Sequence, residues 1–336
     1  MCSSFYNKSR LQSTVSGGLD ASVNGPGAEN TSANRIENRD KPGVLSRVHE
    51  YADLVKFEHT IFALPFALSA MLLAAPAHQW PALPTVVWII LAMVGGRTYA
   101  MGLNRLIDTR IDGKNPRTQN RSLPAGRVSP WGAWALVLAS AVLLVLATFQ
   151  LPVICRQLLP VAFLVLTIYS YMKLFSPLAH LVLGVALGSS AVGGWLAVTG
   201  QLTWLPVIFG WSIVLWVAGF DIIYACQDYG FDQQAGLKSI PVALGLERAL
   251  AVSRAFHVLT VALLILFALL YPQTSVFFWV AIAITAGMLF YEHQLIRGDG
   301  QTPIRLEKVN EAFFNINGKI SMGVFLLVVL QKWLIA

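Results

Sequence analysis

Charge is what this chain has least of. Of its 336 residues only 12% are Asp, Glu, Lys or Arg, where a soluble globular chain carries about 25%. Residues 59–96, 128–155, 174–220 and 255–291 contain none at all. Cysteine is also scarce. Cys2, Cys155 and Cys226 are odd in number and far apart, with no C-x-x-C or Cys/His spacing, which excludes a disulfide scaffold, a zinc finger and a haem attachment site. The first 45 or so residues lack any apolar run, so nothing there reads as a signal-peptide core. Asp20, Glu29, Glu37 and Asp40 interrupt the basic residues of the same stretch, which argues against a mitochondrial transit peptide.

What is there is apolar. Hydrophobic residues make up 56% of the chain, and the mean hydropathy is +0.61. A membrane-crossing helix needs about 20 mostly apolar residues, so the longer uncharged runs each hold two crossings. The expected fold is all-α, a polytopic bundle of about nine transmembrane helices over residues 51–336. Residues 1–50, rich in Ser, Asn, Gly and charge, read as a disordered cytoplasmic tail. Soluble enzymes and nucleic-acid binders are excluded, and the net charge of +7 reflects loop topology instead. Prolines, glycines and polar clusters place the spans near 59–77, 86–106, 130–150, 152–172, 178–199, 204–226, 249–270, 275–293 and 313–335. Basic residues fill alternate loops (105–127, Lys173, 238–254 and 297–308). The positive-inside rule then sets the tail and these loops in the cytoplasm, as in a bacterial-type inner membrane protein.

Acids are the rarest charged residues, 17 against 24 bases, and seven of them precede residue 59. Five of the other ten fall in two short stretches: Asn104-Arg-Leu-Ile-Asp108-Thr-Arg-Ile-Asp112, and Asp221-Ile-Ile-Tyr224-Ala-Cys-Gln-Asp228-Tyr-Gly-Phe-Asp232. Spacings of four, seven and eleven put each set on one helical face. Both sets lie at the cytoplasmic end of an even-numbered span, where they can face each other. Carboxylates near mid-membrane are costly, and several together repel one another and call for a cation. Oxygen ligands without His or Cys suit magnesium, calcium or manganese. Magnesium takes one or two carboxylates and fills its shell with water and phosphate oxygens. Two such clusters therefore suggest two magnesium ions bridging a diphosphate, with Asn104, Asp108, Asp112, Asp221, Asp228 and Asp232 as metal ligands. The plainer alternative is a pair of helix ends salt-bridged to Arg105, Arg110, Lys114, Arg117 and Lys238.

At these residues the chain resembles the UbiA-type intramembrane aromatic prenyltransferases. The resemblance covers about residues 50–336. It rests on N-x-x-x-D-x-x-x-D in the second span and D-x-x-Y-A-x-x-D-x-x-x-D in the sixth. Lys56-Phe-Glu-His-Thr-Ile-Phe-Ala-Leu-Pro-Phe-Ala67 resembles the opening of the first span in the 4-hydroxybenzoate polyprenyltransferase branch, and Asn115-Pro-Arg-Thr-Gln-Asn-Arg121, Tyr169-Ser-Tyr-Met-Lys173 and Gly236-Leu-Lys-Ser-Ile-Pro241 add further blocks. The resemblance implies magnesium-dependent transfer of a polyprenyl group from its diphosphate to an aromatic acid such as 4-hydroxybenzoate, in quinone biosynthesis. Asp108, Asp112, Asp228, Asp232 and Tyr224 would carry the chemistry. Arg97, Arg117, Arg121, Lys173 and Lys238 would bind diphosphate or acceptor, and the lipid bilayer would receive the tail. One departure is Leu174, where the family often places Arg after the Lys; it opens the alternative of a naphthoate acceptor in menaquinone biosynthesis. A cation-coupled transporter is the alternative from another class, although transporter sites usually lie at mid-membrane and these acids do not. His59, His180 and His293 read as capping or core histidines.

Overall fold

The computed structural model describes residues 44–56, 60–300 and 302–335. The tail assigned to residues 1–50 lies outside them up to residue 43, as do Cys2, His59 and residues 57–59 of the first-span motif. The helices follow the punctuation of the sequence. They are α1 (Val44–Leu54), α2 (Thr60–Ala74), α3 (Leu83–Asp112), α4 (Pro130–Phe149), α5 (Val153–Phe175), α6 (Ala179–Thr199) and α7 (Trp204–Ala225), then the short α8 (Tyr229–Ala235) and α9 (Ile240–Leu244). α10 (Leu246–Leu270), α11 (Val276–Leu295), α12 (Leu306–Asn310) and α13 (Asn317–Ile335) complete the chain. Among the described residues, eight helices are long and apolar enough to cross a membrane. The first expected span is the shorter α2, and together they account for the nine.

Local signals explain the boundaries. Ser129 caps α4 by accepting from the Gly132 N–H at 3.0 Å, and Pro130 follows at the first helical position, where no N–H is needed. α6 ends at Gly200, whose φ of 65° only glycine adopts without penalty. The last span departs from expectation. A π-helical turn, Glu311–Ile316, separates α12 from α13, so the polar residues Asn315 and Asn317 sit on or beside an irregular turn instead of in a regular helix start.

Lipid tails are as apolar as leucine, so apolar burial alone does not press membrane helices together; small residues and polar bonds do. Gly184 and Gly188, four apart on α6, show the first device. A Cβ added at them would come within 2.3 Å of the Val214 carbonyl oxygen and 2.6 Å of the Gly210 carbonyl oxygen on α7. Aromatic rings fill the centre where α2, α7 and the π turn meet. Phe66 and Trp216 have ring centroids 4.9 Å apart, and Phe220 lies 4.9 Å from Trp216 and 5.2 Å from Phe313.

One region is hollow. A cavity of about 380 Å³ is bounded by residues of α2, α3, α4, α5, α6 and the turn at Leu151, with Ala63, Met93, Leu144, Leu166 and Leu187 on its walls. Residues of α7, α10, α11 and α13 do not reach it. Its outer wall, α5, has Ser170 as its one buried residue.

α1 lies against the loop between α3 and α4. Leu54 packs with Leu123, Val128 and Ala133. Glu50 accepts from the Ser122 hydroxyl at 2.9 Å and from Arg127 Nε at 3.0 Å. Arg127 thereby holds the Glu50 carboxyl below the usual carboxylate range. Two arginines of α3 bond the end of this segment: Arg105 donates to the Leu54 carbonyl at 3.3 Å and Arg97 to the Lys56 carbonyl at 3.1 Å.

Candidate active site

α3, α5 and α7 end on one side of the bundle, and α6 begins there. Alternation of direction alone therefore gathers Asp108 and Asp112, Lys173, His180 and Asp221 into one layer. In that layer each acid meets a base. Asp108 Oδ2 lies 2.5 Å from Lys173 Nζ. Asp112 accepts from Arg121 Nη1 at 2.7 and 2.8 Å, with Arg105 at 3.9 Å. Asp228 is held by Arg117 through a two-pronged contact, Nε donating at 2.8 Å and Nη2 reaching the other oxygen. A planar guanidinium matches a carboxylate in this way.

The two acidic segments do face each other. Asn115, just past the first motif, donates to Asp228 of the second at 3.0 Å. Arg117 bridges further, with Nη1 donating to the Tyr224 hydroxyl at 2.8 Å and its guanidinium 5.1 Å above the Tyr224 ring. Tyr169 interacts electrostatically with both Asp108 and Asp221, and Asp232 with Asp228, Lys173, Arg117 and His180.

Several expectations need correction. Asp221, Asp228 and Asp232 do not share one regular helical face, because α7 stops at Ala225 and a 3-10 turn, Cys226–Asp228, turns the chain before α8 carries Asp232. Lys238 is exposed, and what it contributes is its backbone N–H, which donates to the Lys173 carbonyl at 2.8 Å. Arg110 and Lys114 are exposed as well; the bases that meet the acids are Arg105, Arg117, Arg121 and Lys173. Asn104 is buried one turn before Asp108. Among the described residues Arg97 meets no acid. It lines the cavity beside Tyr169, and its Nε is buried without a partner.

One residue of this layer was hidden in the sequence. His180 Nδ1 lies 2.7 Å from Asp221, while its Nε2 accepts from the Ile240 backbone N–H at 3.4 Å. That acceptance leaves the proton on Nδ1, pointed at the carboxylate. A lone histidine at a helix start gives no pattern to find, and its partner lies 41 residues on.

Among the described residues no three acids, histidines or cysteines close on one point as a self-sufficient metal cage. That is compatible with magnesium, which needs only one or two carboxylates per ion. Asp108 Oδ1 is buried with no hydrogen-bond partner, a state that costs free energy unless something is meant to occupy it. The donor set is therefore suited to a hard cation shared with a ligand.

The UbiA prenyltransferase family matches residues 63–317. A relative named 4-hydroxybenzoate octaprenyltransferase from Vibrio vulnificus is 30% identical over 258 residues, covering 75% of this chain and 89% of its own. One of the same name from Vibrio cholerae is 28% identical over 294 residues, 85% of this chain and 99% of its own. Among solved structures, an apo UbiA homologue from Aeropyrum pernix K1 superposes with a TM-score of 0.72 at 34% identity, over 81% of this chain and 98% of that one. A homologue from Archaeoglobus fulgidus bound to DMAPP and Mg2+ shares the fold, with a TM-score of 0.65 at 21% identity over 83% of this chain and 99% of that one. With acidic motifs opposed across a basic layer, an apolar cavity beside it, and the family matched over most of its length, this chain is a membrane-embedded prenyltransferase belonging to the UbiA prenyltransferase family.

Proposed function

We propose that the enzyme transfers a polyprenyl group from polyprenyl diphosphate to 4-hydroxybenzoate, in a step of ubiquinone-type biosynthesis. The observation that carries this reading is the Asn115–Asp228 contact, which brings the two acidic motifs onto one site. Asn104, Asp108 and Asp112 on one side, and Asp221, Asp228 and Asp232 on the other, would hold two magnesium ions. Magnesium when bound neutralises the charge that develops on the departing diphosphate.

The chain's own residues supply the rest. Arg117, Arg121, Arg105 and Lys173 keep donors beyond those given to their acids, since a guanidinium carries five N–H groups and an ammonium three. These donors cradle phosphate oxygens as the C–O bond to the prenyl group breaks. The rings of Tyr224 and Phe313, with centroids 4.3 Å apart, present aromatic faces that favour a nearby allylic cation. The cavity takes the tail: its walls are mostly aliphatic and it is bounded on the membrane side by α5. The phenol's ring carbon attacks, the new C–C bond forms, and a base then takes the ring proton.

Arg97 is the base left for the acceptor. The others at the mouth already balance acids, whereas Arg97 faces the cavity with a buried, unpartnered N–H. A substrate carboxylate would satisfy it. Basic loops on the site's side favour an active site facing the cytoplasm of a bacterial-type inner membrane, with the N-terminus on the same face.

Side-by-side turnover of 4-hydroxybenzoate and a dihydroxynaphthoate by the purified protein tests the acceptor. Preference for 4-hydroxybenzoate supports the proposal, and preference for the naphthoate shifts it to a menaquinone-type step. Prenylation of an uncharged phenol with neither acid turned over would remove the role given to Arg97.

A further inference from the structure

Behind the second acidic motif, away from the site, lies a polar network buried in an otherwise apolar part of the bundle. Glu292 of α11 and Asn317 of α13 are both 0% exposed, and His257 of α10 is 3% exposed. Trp216 Nε1 donates to Asn317 Oδ1 at 2.9 Å, and Asn317 Nδ2 donates to Glu292 Oε1 at 2.8 Å. His257 Nδ1 faces His293 Nε2 at 3.0 Å and Glu292 Oε2 at 3.8 Å. None of these groups touches the acids of the site.

The network grips α7 along its length. Three side chains of one α10 face reach three α7 carbonyls: Ser253 donates to Gly219 O at 2.7 Å, His257 Nε2 lies 3.3 Å from Trp216 O, and Thr260 donates to Ser212 O at 3.2 Å. The His257 ring occupies the space of a missing side chain at Gly219, where a Cβ would come within 2.3 Å of it. Gly219 is two residues before Asp221. A second arm runs through Asn317, which follows directly on the π turn and donates back to the Ala312 carbonyl at 3.2 Å. That turn carries Phe313, whose ring packs on Tyr224. A buried polar group is costly in a membrane unless it is bonded; Glu292 Oε2 has no hydrogen-bond partner, while the bonds made by Trp216, Asn317, Ser253 and Thr260 fix one arrangement of the helices around them.

We propose that this network positions the second acidic motif, with His257 and Asn317 as positioning residues that act through α7 and the π turn. One arm sets the height and rotation of Asp221; the other sets the ring wall at Tyr224. The inference rests on reading the second motif as part of the diphosphate site, but not on the identity of the acceptor.

The test uses the full-length protein in lipid nanodiscs with magnesium and a non-ionising prenyl thiodiphosphate as probe. Thermal stability and acceptor KM are measured alongside. His257→Phe keeps a ring but loses its bonds, and it should weaken probe binding about tenfold, as expected from one or two lost hydrogen bonds. Acceptor KM should stay within twofold or so of wild type. His257→Gln, whose amide can still donate to the Trp216 carbonyl, should restore most of the affinity. Probe affinity equal to wild type in folded His257→Phe would overturn the proposal, even if stability falls, because a purely structural role predicts that result. Should His257→Phe fail to fold, Ser253→Ala removes only the bond to Gly219 and is read by the same two outcomes. A wild-type protein that does not bind the probe would overturn the diphosphate-site reading and this inference together. Normal wild-type binding with unchanged variants would overturn the network alone.

Discussion

The side-chain amide of Asn115 donates to Asp228 across 3.0 Å, fastening the segment after one acidic motif to the middle of the other. Arg117, two residues on, holds the same carboxylate. Both motifs are thus set at a fixed separation by side chains of a single loop, before any substrate enters.

Removing either acid should therefore remove the function of both. Asp108→Asn and Asp228→Asn, which keep shape but lose charge, should each lower kcat by about 100-fold or more while leaving the protein inserted and folded. Chelation of divalent metal should inactivate the wild type, and added magnesium should restore it. Near-normal turnover of either variant at saturating magnesium would show that the two motifs do not serve one site.

Arg97 offers a cleaner separation of binding from chemistry. Arg97→Met keeps a long apolar side chain and removes the charge. Acceptor KM should rise by about 10–100-fold, the worth of a charge-assisted hydrogen bond, with little change in KM for the prenyl diphosphate. A rise in the diphosphate KM instead would place this arginine on the phosphates.

Gly193 tests the cavity. It lines the hollow, and a Cβ added there meets nothing within 4 Å. Gly193→Phe should fold normally yet fill part of the space. Turnover of long prenyl diphosphates should fall by about tenfold or more relative to a five-carbon donor. Equal losses for short and long donors would mean that the tail lies elsewhere.

The α1 segment carries a pH dependence. The Glu50 carboxyl is held below its ordinary value by Arg127, so its contribution is complete above the unfolded pKa of about 4.3 and is lost as pH falls through the lower folded value. Hydrogen exchange in α1 should be slow at neutral pH and speed up only in that acid window. Arg127→Ala should weaken the acid dependence by removing its largest cause, leaving the part that Ser122 supplies.

Nine crossings also fix a parity. Reporter fusions at Asn30 and after Ala336 should report opposite sides of the membrane; matching signals would remove one crossing from the count.

Much of the site was legible because acids are rare here. Asp108 and Asp228 stand out in any acid-poor apolar chain, and their spacing pointed to a common layer. The register within that layer was not legible. Arg110 lies inside the first motif and Lys114 two residues beyond it, yet both are exposed: Arg110 is about 200° round α3 from Asp108 and Asp112, and Lys114 lies in the loop that follows. The 3-10 turn at Cys226–Asp228 was invisible because a spacing of seven fits a continuous helix as well as a broken one. The network at Glu292 left no trace at all. Its members are single polar residues on four helices, and only the packing of those helices makes them neighbours.

The hollow lies wholly among α2 to α6, while the polar stitching lies among α7, α10, α11 and α13. This asymmetry separates two demands that usually compete. If the tail lies in the hollow as proposed, widening, narrowing or lengthening it should alter which tail is accepted and leave the frame that holds the second motif untouched. Substitutions that retune chain length should fall where α4, α5 and α6 line the hollow, and engineering for new donors is best begun on α5, the wall nearest the lipid.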